Sequence, residues 1–79
     1  MKRLEQIKKG CLTAELYQNQ VAHNTAYTFK IFRGKPDKNT LVGMSYVYYV
    51  NQDKAREDML DKIDVILSLA EDFCGIMVR

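Results

Sequence analysis

Apolar and polar residues alternate along three stretches of the chain. In "CLTAELYQ" (11–18), Leu12, Ala14 and Leu16 fall on one side and Thr13, Glu15 and Tyr17 on the other. "AYTFKIFR" (26–33) sets Tyr27, Phe29 and Ile31 against Thr28, Lys30 and Phe32. This two-residue period is that of half-buried strands. "LVGMSYVYYV" (41–50) reads as a third strand with apolar or aromatic groups on both sides. The links "NQVAHNT" and "GKPDKN" are polar, and the second gathers Gly, Pro, Asp and Asn as turns do. Three strands joined this closely predict an antiparallel meander over 11–50.

The period then changes. Met59, Leu60, Ile63, Ile66, Leu67, Ala70, Phe73 and Cys74 recur at spacings of three and four, which predicts an amphipathic helix over 52–74. Asn51 and Asp53 suit its start and Gly75 its end. At the other end, Leu4 and Ile7 sit three apart before Gly10, which predicts a short basic helix over 2–9. The tail 75–79, with "IMVR", reads either as core packing or as a short edge strand. The expected fold is a single α+β domain ordered α-β-β-β-α, with the long C-terminal helix packed on one sheet face.

One helix covers one face. We expect it to take Leu12, Ala14, Leu16, Tyr27, Phe29, Ile31 and the even positions of 41–50. The other face then carries Thr13, Glu15, Tyr17, Thr28, Lys30, Phe32, Ser45, Val47 and Tyr49. Three rings and a valine on a nominally solvated face call for a cover. Three covers compete: the first helix with Leu4 and Ile7, a protein partner or second copy, and a nucleic acid stacking bases on the rings. The expected partner-binding residues of this face are Tyr17, Lys30, Phe32 and Tyr49. A second expected strip lies on the helix at Asp58, Asp61, Val65, Leu69 and Asp72, unless Leu69 only widens the buried face.

Charge is divided. Residues 1–52 carry eight basic side chains against three acidic, and residues 53–74 carry three against seven. A phosphate-facing surface would draw on Lys8, Lys9, His23, Lys30, Arg33 and Lys35, with Lys2, Arg3 and Lys38 nearby. The whole chain of 79 residues is only +2. It has no apolar run of the roughly 20 residues that span a bilayer, and charges interrupt its N-terminus where a signal peptide is apolar. We therefore expect a cytoplasmic protein without a membrane, whose Cys11 and Cys74 are two small buried thiols, the alternative being that they meet where the end of the last helix packs beside the start of the first strand. One histidine and two distant cysteines make a poor metal site. With no glycine-rich phosphate loop and little room for a cleft, we expect no cofactor, no small-molecule substrate and no catalysis.

The order helix, three strands, helix is similar to the double-stranded RNA-binding domain. "HNTAYTFKI" matches that family's second strand, and its His23 sits in the first hairpin loop. The resemblance implies a minor-groove contact at His23, with Lys54 and Arg56 opening the second helix. A sheet backed by a helix also resembles the DNA-binding arms of some tyrosine integrases, which implies a reading face at Tyr17, Lys30, Phe32 and Tyr49. In size and style the chain is similar to small regulators and inhibitors of phages and mobile elements, anti-CRISPR proteins among them. The expectation from sequence is a non-enzymatic binding protein with a protein partner or homodimer, and nucleic-acid binding is the alternative.

Overall fold

A computed structural model describes residues 1–69. Four strands, β1 (Lys2–Lys9), β2 (Leu12–Val21), β3 (Asn24–Arg33) and β4 (Leu41–Met44), precede one helix, α1 (Gln52–Leu69). The strands form an antiparallel sheet in chain order, and α1 packs on one face of it, mainly against β2 and β3. The α+β class with an antiparallel sheet and a C-terminal helix is as expected. The short N-terminal helix is not: residues 2–9 are a strand, so the sheet has four strands. The expected helix turn at Ala70–Cys74, Asp72 of the predicted strip and the tail 75–79 lie outside the described residues.

An isolated helix of eight residues is marginal, whereas the same residues in β1 gain a ladder along β2. Gly10, with φ of 62°, opens a two-residue link to Leu12 in the manner of a type II′ turn, so it closes a hairpin where a helix stop was expected. Leu4 is an extra residue in the ladder, because Arg3 faces Tyr17 while Glu5 faces Leu16. This bulge reverses the side-chain phase of β1. Beyond it Glu5, Ile7 and Lys9 share the helix face with Leu16, Ala14 and Leu12, while Gln6 and Lys8 share the opposite face with Arg3. Ile7 packs on the core. Glu5 meets Arg56 at 3.0 Å and Lys9 meets Asp64 at 2.7 Å. The spans agree: four strand residues cover about 13 Å and eight helical residues about 12 Å.

The core is a layer of Leu12, Ala14, Leu16, Phe29 and Ile31 under Ala55, Met59 and Ile63. Asn51 caps α1, its Oδ1 accepting from the Lys54 N–H at 3.1 Å. Leu60, Ile66 and Leu67 widen the buried stripe as expected. Val65 and Leu69 stay exposed, which corrects the alternative that Leu69 belongs to the buried face. Cys11 is half-buried beside the core and is not a free thiol, against the expectation of two reduced cysteines. Cys74 lies outside the described residues.

The third expected strand changes most. Val42 is a bulge, since Leu41 faces Phe32 while Gly43 faces Ile31. A slip of one residue sends every later side chain to the other face. The odd positions Gly43, Ser45 and Tyr49 therefore meet the helix side, and the even ones do not. Gly43 fits closely there: a Cβ would stand 3.3 Å from Ile66 Cδ1 and from Lys62 Cε, so those side-chain ends would have to give by a few tenths of an ångström. At Ser45 the ladder breaks, for the Phe29 N–H donates to Ser45 Oγ at 3.1 Å in place of a backbone carbonyl. Residues 46–48 leave the sheet, and the chain returns at Tyr49, which exchanges backbone hydrogen bonds with Tyr27 at 2.8 and 3.0 Å. Tyr46 and Tyr48, expected under the helix, are 83% and 62% exposed.

Ala22 and His23 join β2 to β3 with φ of 47° and 71°. Positive φ at both central positions is what Asn-Gly supplies without strain. Replacing Ala22→Asn together with His23→Gly is expected to raise stability by about 1–2 kcal/mol in urea unfolding. Unchanged stability would mean the turn carries no strain.

Candidate functional site

The sheet face away from α1 is polar and basic. Arg3, Gln6 and Lys8 from β1 extend across it beside Thr13, Glu15 and Tyr17 from β2 and Thr28, Lys30 and Phe32 from β3. Its centre is the buried carboxylate of Glu15. Arg3 Nη1 and Gln6 Nε2 each donate to Glu15 Oε2 at 2.9 Å, and Tyr17 Oη donates to Oε1. Every buried side-chain polar atom among the described residues has a partner. Burial pushes the Glu15 carboxyl up, but hydrogen bonds from Tyr17, Arg3 and Gln6, with the charge of Arg3, outweigh it and hold it below its ordinary value. The Tyr17 hydroxyl is pushed well above its usual range by burial and by Glu15. Lys30 Nζ lies 5.8 Å from the Tyr17 ring centroid.

Three grooves cross this face. The first, about 560 Å³, is lined by Gln6, Lys8, Thr13, Arg33 and Lys35. The third side of the face, about 340 Å³, is lined by Glu15, Lys30, Phe32 and Lys38, and both grooves touch Pro36. A further groove of about 390 Å³ begins at Lys30 and runs past Asn19, Thr28 and Met44 to Tyr46, Val47 and Tyr48. Neighbouring grooves share Pro36 and then Lys30, so the three follow one another as an open track. The loop 34–40 fixes the lysines beside it. Gly34 N–H donates to the Cys11 carbonyl at 2.7 Å, and Thr40 Oγ1 donates to the carbonyls of Lys35 and Asp37 at 2.8 and 3.0 Å.

The four expected sheet residues do not assemble into one exposed platform. Tyr17 and Phe32 are buried, at 9% and 6% exposure. Tyr49 stands on the helix side and stacks on Phe29 with centroids 6.2 Å apart. Burial and a hydrogen bond to Asp58 push its hydroxyl up. Of the four, Lys30 and the buried Phe32 line the track, and only Lys30 does so without being buried. Of the basic set, Lys8, Arg33 and Lys35 line the first groove, while Lys9 is on the opposite face with Asp64 and His23 occupies the β2–β3 turn. Lys54 and Arg56, named by the resemblance, lie on α1, paired with Asp58 and Glu5.

On the helix, Asp58 is half-buried, and Asp61, Val65 and Leu69 are exposed. Carboxylate oxygens of Glu57, Asp58 and Asp61 gather within 4.8 Å. Lys54 already pairs with Glu57 and Asp58 at 3.8 and 3.3 Å. The sequence reasoning missed Tyr48 and understated Gln6 and Asn19. The mixed faces of "LVGMSYVYYV" were the available signal for Tyr48. Nothing local marked the strand phase of residues 2–9. No described helix is long and apolar enough to cross a membrane. Set against known proteins, the chain matches no family model, no curated protein and no solved structure.

A carboxyl held low in the folded state stabilises above its unfolded pKa and loses that contribution as pH falls through the folded one. Glu15→Gln is therefore expected to cost about 1–3 kcal/mol at neutral pH and to flatten the loss of stability below the ordinary carboxyl value of 4.5. Unfolding curves of both proteins from neutral to acid pH check this; parallel pH profiles would refute it.

Proposed function

We propose that the chain binds single-stranded nucleic acid along the sheet face opposite α1, as a stoichiometric, non-catalytic binding protein. The observation that carries this reading is the open track in which Lys8, Lys35, Lys38 and Lys30 succeed one another and which ends at the exposed Tyr48. Lysines spaced along a groove suit a phosphate backbone, and an exposed ring suits an unstacked base. Amide and hydroxyl groups of Gln6, Asn19, Thr13 and Thr28 lie between them. Two carboxylates line the track, Glu15 and Asp37; Glu15 is compensated by Arg3, and Asp37 stands in the loop between Lys35 and Lys38.

Charge placement supports the same reading. The acids of α1 lie across the sheet from the track, so they leave its potential positive where a strand would lie. The sequence-based preference for a protein on this face rested on exposed rings at Tyr17, Phe32 and Tyr49. Two of these are buried and the third is behind the sheet, so that preference loses its support here.

Fluorescence anisotropy with labelled single-stranded oligonucleotides, at low and at moderate salt, tests the proposal. With four lysines engaged, the logarithm of the affinity is expected to fall with the logarithm of salt at a slope of about −3. The triple change Lys8→Ala, Lys35→Ala, Lys38→Ala is expected to abolish most of that slope while leaving the circular-dichroism melt unchanged. Tyr48→Ala is expected to cost about 1–3 kcal/mol of binding with the slope retained. Absence of binding at low salt, or binding indifferent to all four changes, would overturn the reading.

A further inference from the structure

We infer that the first groove of the track, beside the β1–β2 turn, holds the terminal phosphate of the bound strand, a phosphate monoester. The inference rests on the strand-binding reading and adds to it which part of the strand lies where.

The three grooves differ in charge. Glu15 and Asp37 line the middle one beside Lys30 and Lys38, and the rings of Tyr46 and Tyr48 line the last. No carboxylate of the described residues lines the first, where Lys8 and Lys35 stand. Arg3, Lys9, Lys54 and Arg56 are each tied to a carboxylate, whereas Lys8 and Lys35 meet none among the described residues. A phosphate monoester carries about −1.5 to −2 charge at neutral pH, and an internal diester carries a single charge. The more highly charged group gains most where cations are uncommitted and no carboxylate opposes it.

The groove also holds an uncommitted hydroxyl. Thr13 is 4% exposed, and its side chain has no hydrogen-bond partner among the described residues. No enclosed side-chain polar atom there lacks a partner, so the Thr13 hydroxyl reaches the groove. Lys8 stands directly opposite Thr13 in the ladder, which puts ammonium and hydroxyl side by side on one face. Lys35 is set by the loop. The Gly34 N–H before it donates to the Cys11 carbonyl at 2.7 Å, and the Lys35 carbonyl accepts from Thr40 Oγ1 at 2.8 Å. A monoester offers three strong acceptor oxygens to these donors, and a diester keeps only two free. With its phosphate here, the strand runs past Lys30 and lays its bases toward Tyr48.

Fluorescence anisotropy on one oligonucleotide sequence, carrying a 5′-phosphate, a 3′-phosphate or neither, tests the inference. Phosphate at one end is expected to tighten binding about tenfold, and phosphate at the other end to change it little. Lys8→Gln with Lys35→Gln is expected to abolish that ratio, and Thr13→Val to reduce it several-fold, with the circular-dichroism melt of each variant retained. Tyr48→Ala is expected to weaken all three oligonucleotides equally. If the unphosphorylated strand binds and neither end phosphate matters, the inference fails while the track reading stands. If no oligonucleotide binds, both fall. A gain that is equal at both ends, or that survives the three substitutions, reflects added charge alone and overturns the pocket. Inorganic phosphate that shifts the amide resonances of Lys8, Thr13 and Lys35 without any strand binding would make free phosphate the occupant and overturn the strand-end assignment.

Discussion

One helix has to shelter the apolar side of four strands, and each strand must therefore deliver its apolar set to the same face. β2 and β3 do so by simple alternation, with Leu12, Ala14 and Leu16 beside Phe29 and Ile31. The edge strands do so by inserting a residue. Leu4 shifts the phase of β1 so that Ile7 reaches the core, and Val42 shifts β4 so that the side-chain-free Gly43 lies under Lys62 and Ile66 of α1. Each bulge also decides what the reverse face receives. The first places Arg3 and Gln6 together at Glu15; the second turns Met44 away from the helix.

Glu15 shows how the reverse face is held without a second layer. A carboxylate there is costly to bury unless its oxygens are fully bonded. Arg3, Gln6 and Tyr17 meet that need from two strands, and their side chains lie over the sheet. The rings that alternation made look exposed are in fact buried: Tyr17 within the network, and Phe32 beside its ladder partner Leu41. Removing exposed rings from that face leaves a polar floor edged by lysines, a different chemistry from the greasy platform that alternation suggested.

The exposed segment 46–48 shapes the end of the candidate track. Its departure from the sheet after Met44 leaves Tyr46, Val47 and Tyr48 lining the groove that begins at Lys30.

Local pattern alone placed strands at 11–18 and 26–33, the helix beginning beside Asn51, its stripe through Met59 and Ile63, and the separation of basic from acidic halves. These follow from periods of 2 and 3.6 residues and from side-chain capping, which act within a few positions of the chain. The pairing of β2 with β3 carries both strands on through the expected connection to Val21 and Asn24. Tertiary structure decided that "KRLEQIKK" is a strand, since its hydrogen-bond partners lie in β2 and its charges find Arg56 and Asp64 more than fifty residues away. It also decided the phase of β4, because a bulge leaves the composition of a segment unchanged while reversing where each residue points. Whether Tyr48 and Tyr49 are core or surface depended on that phase, and no count along the sequence contains it.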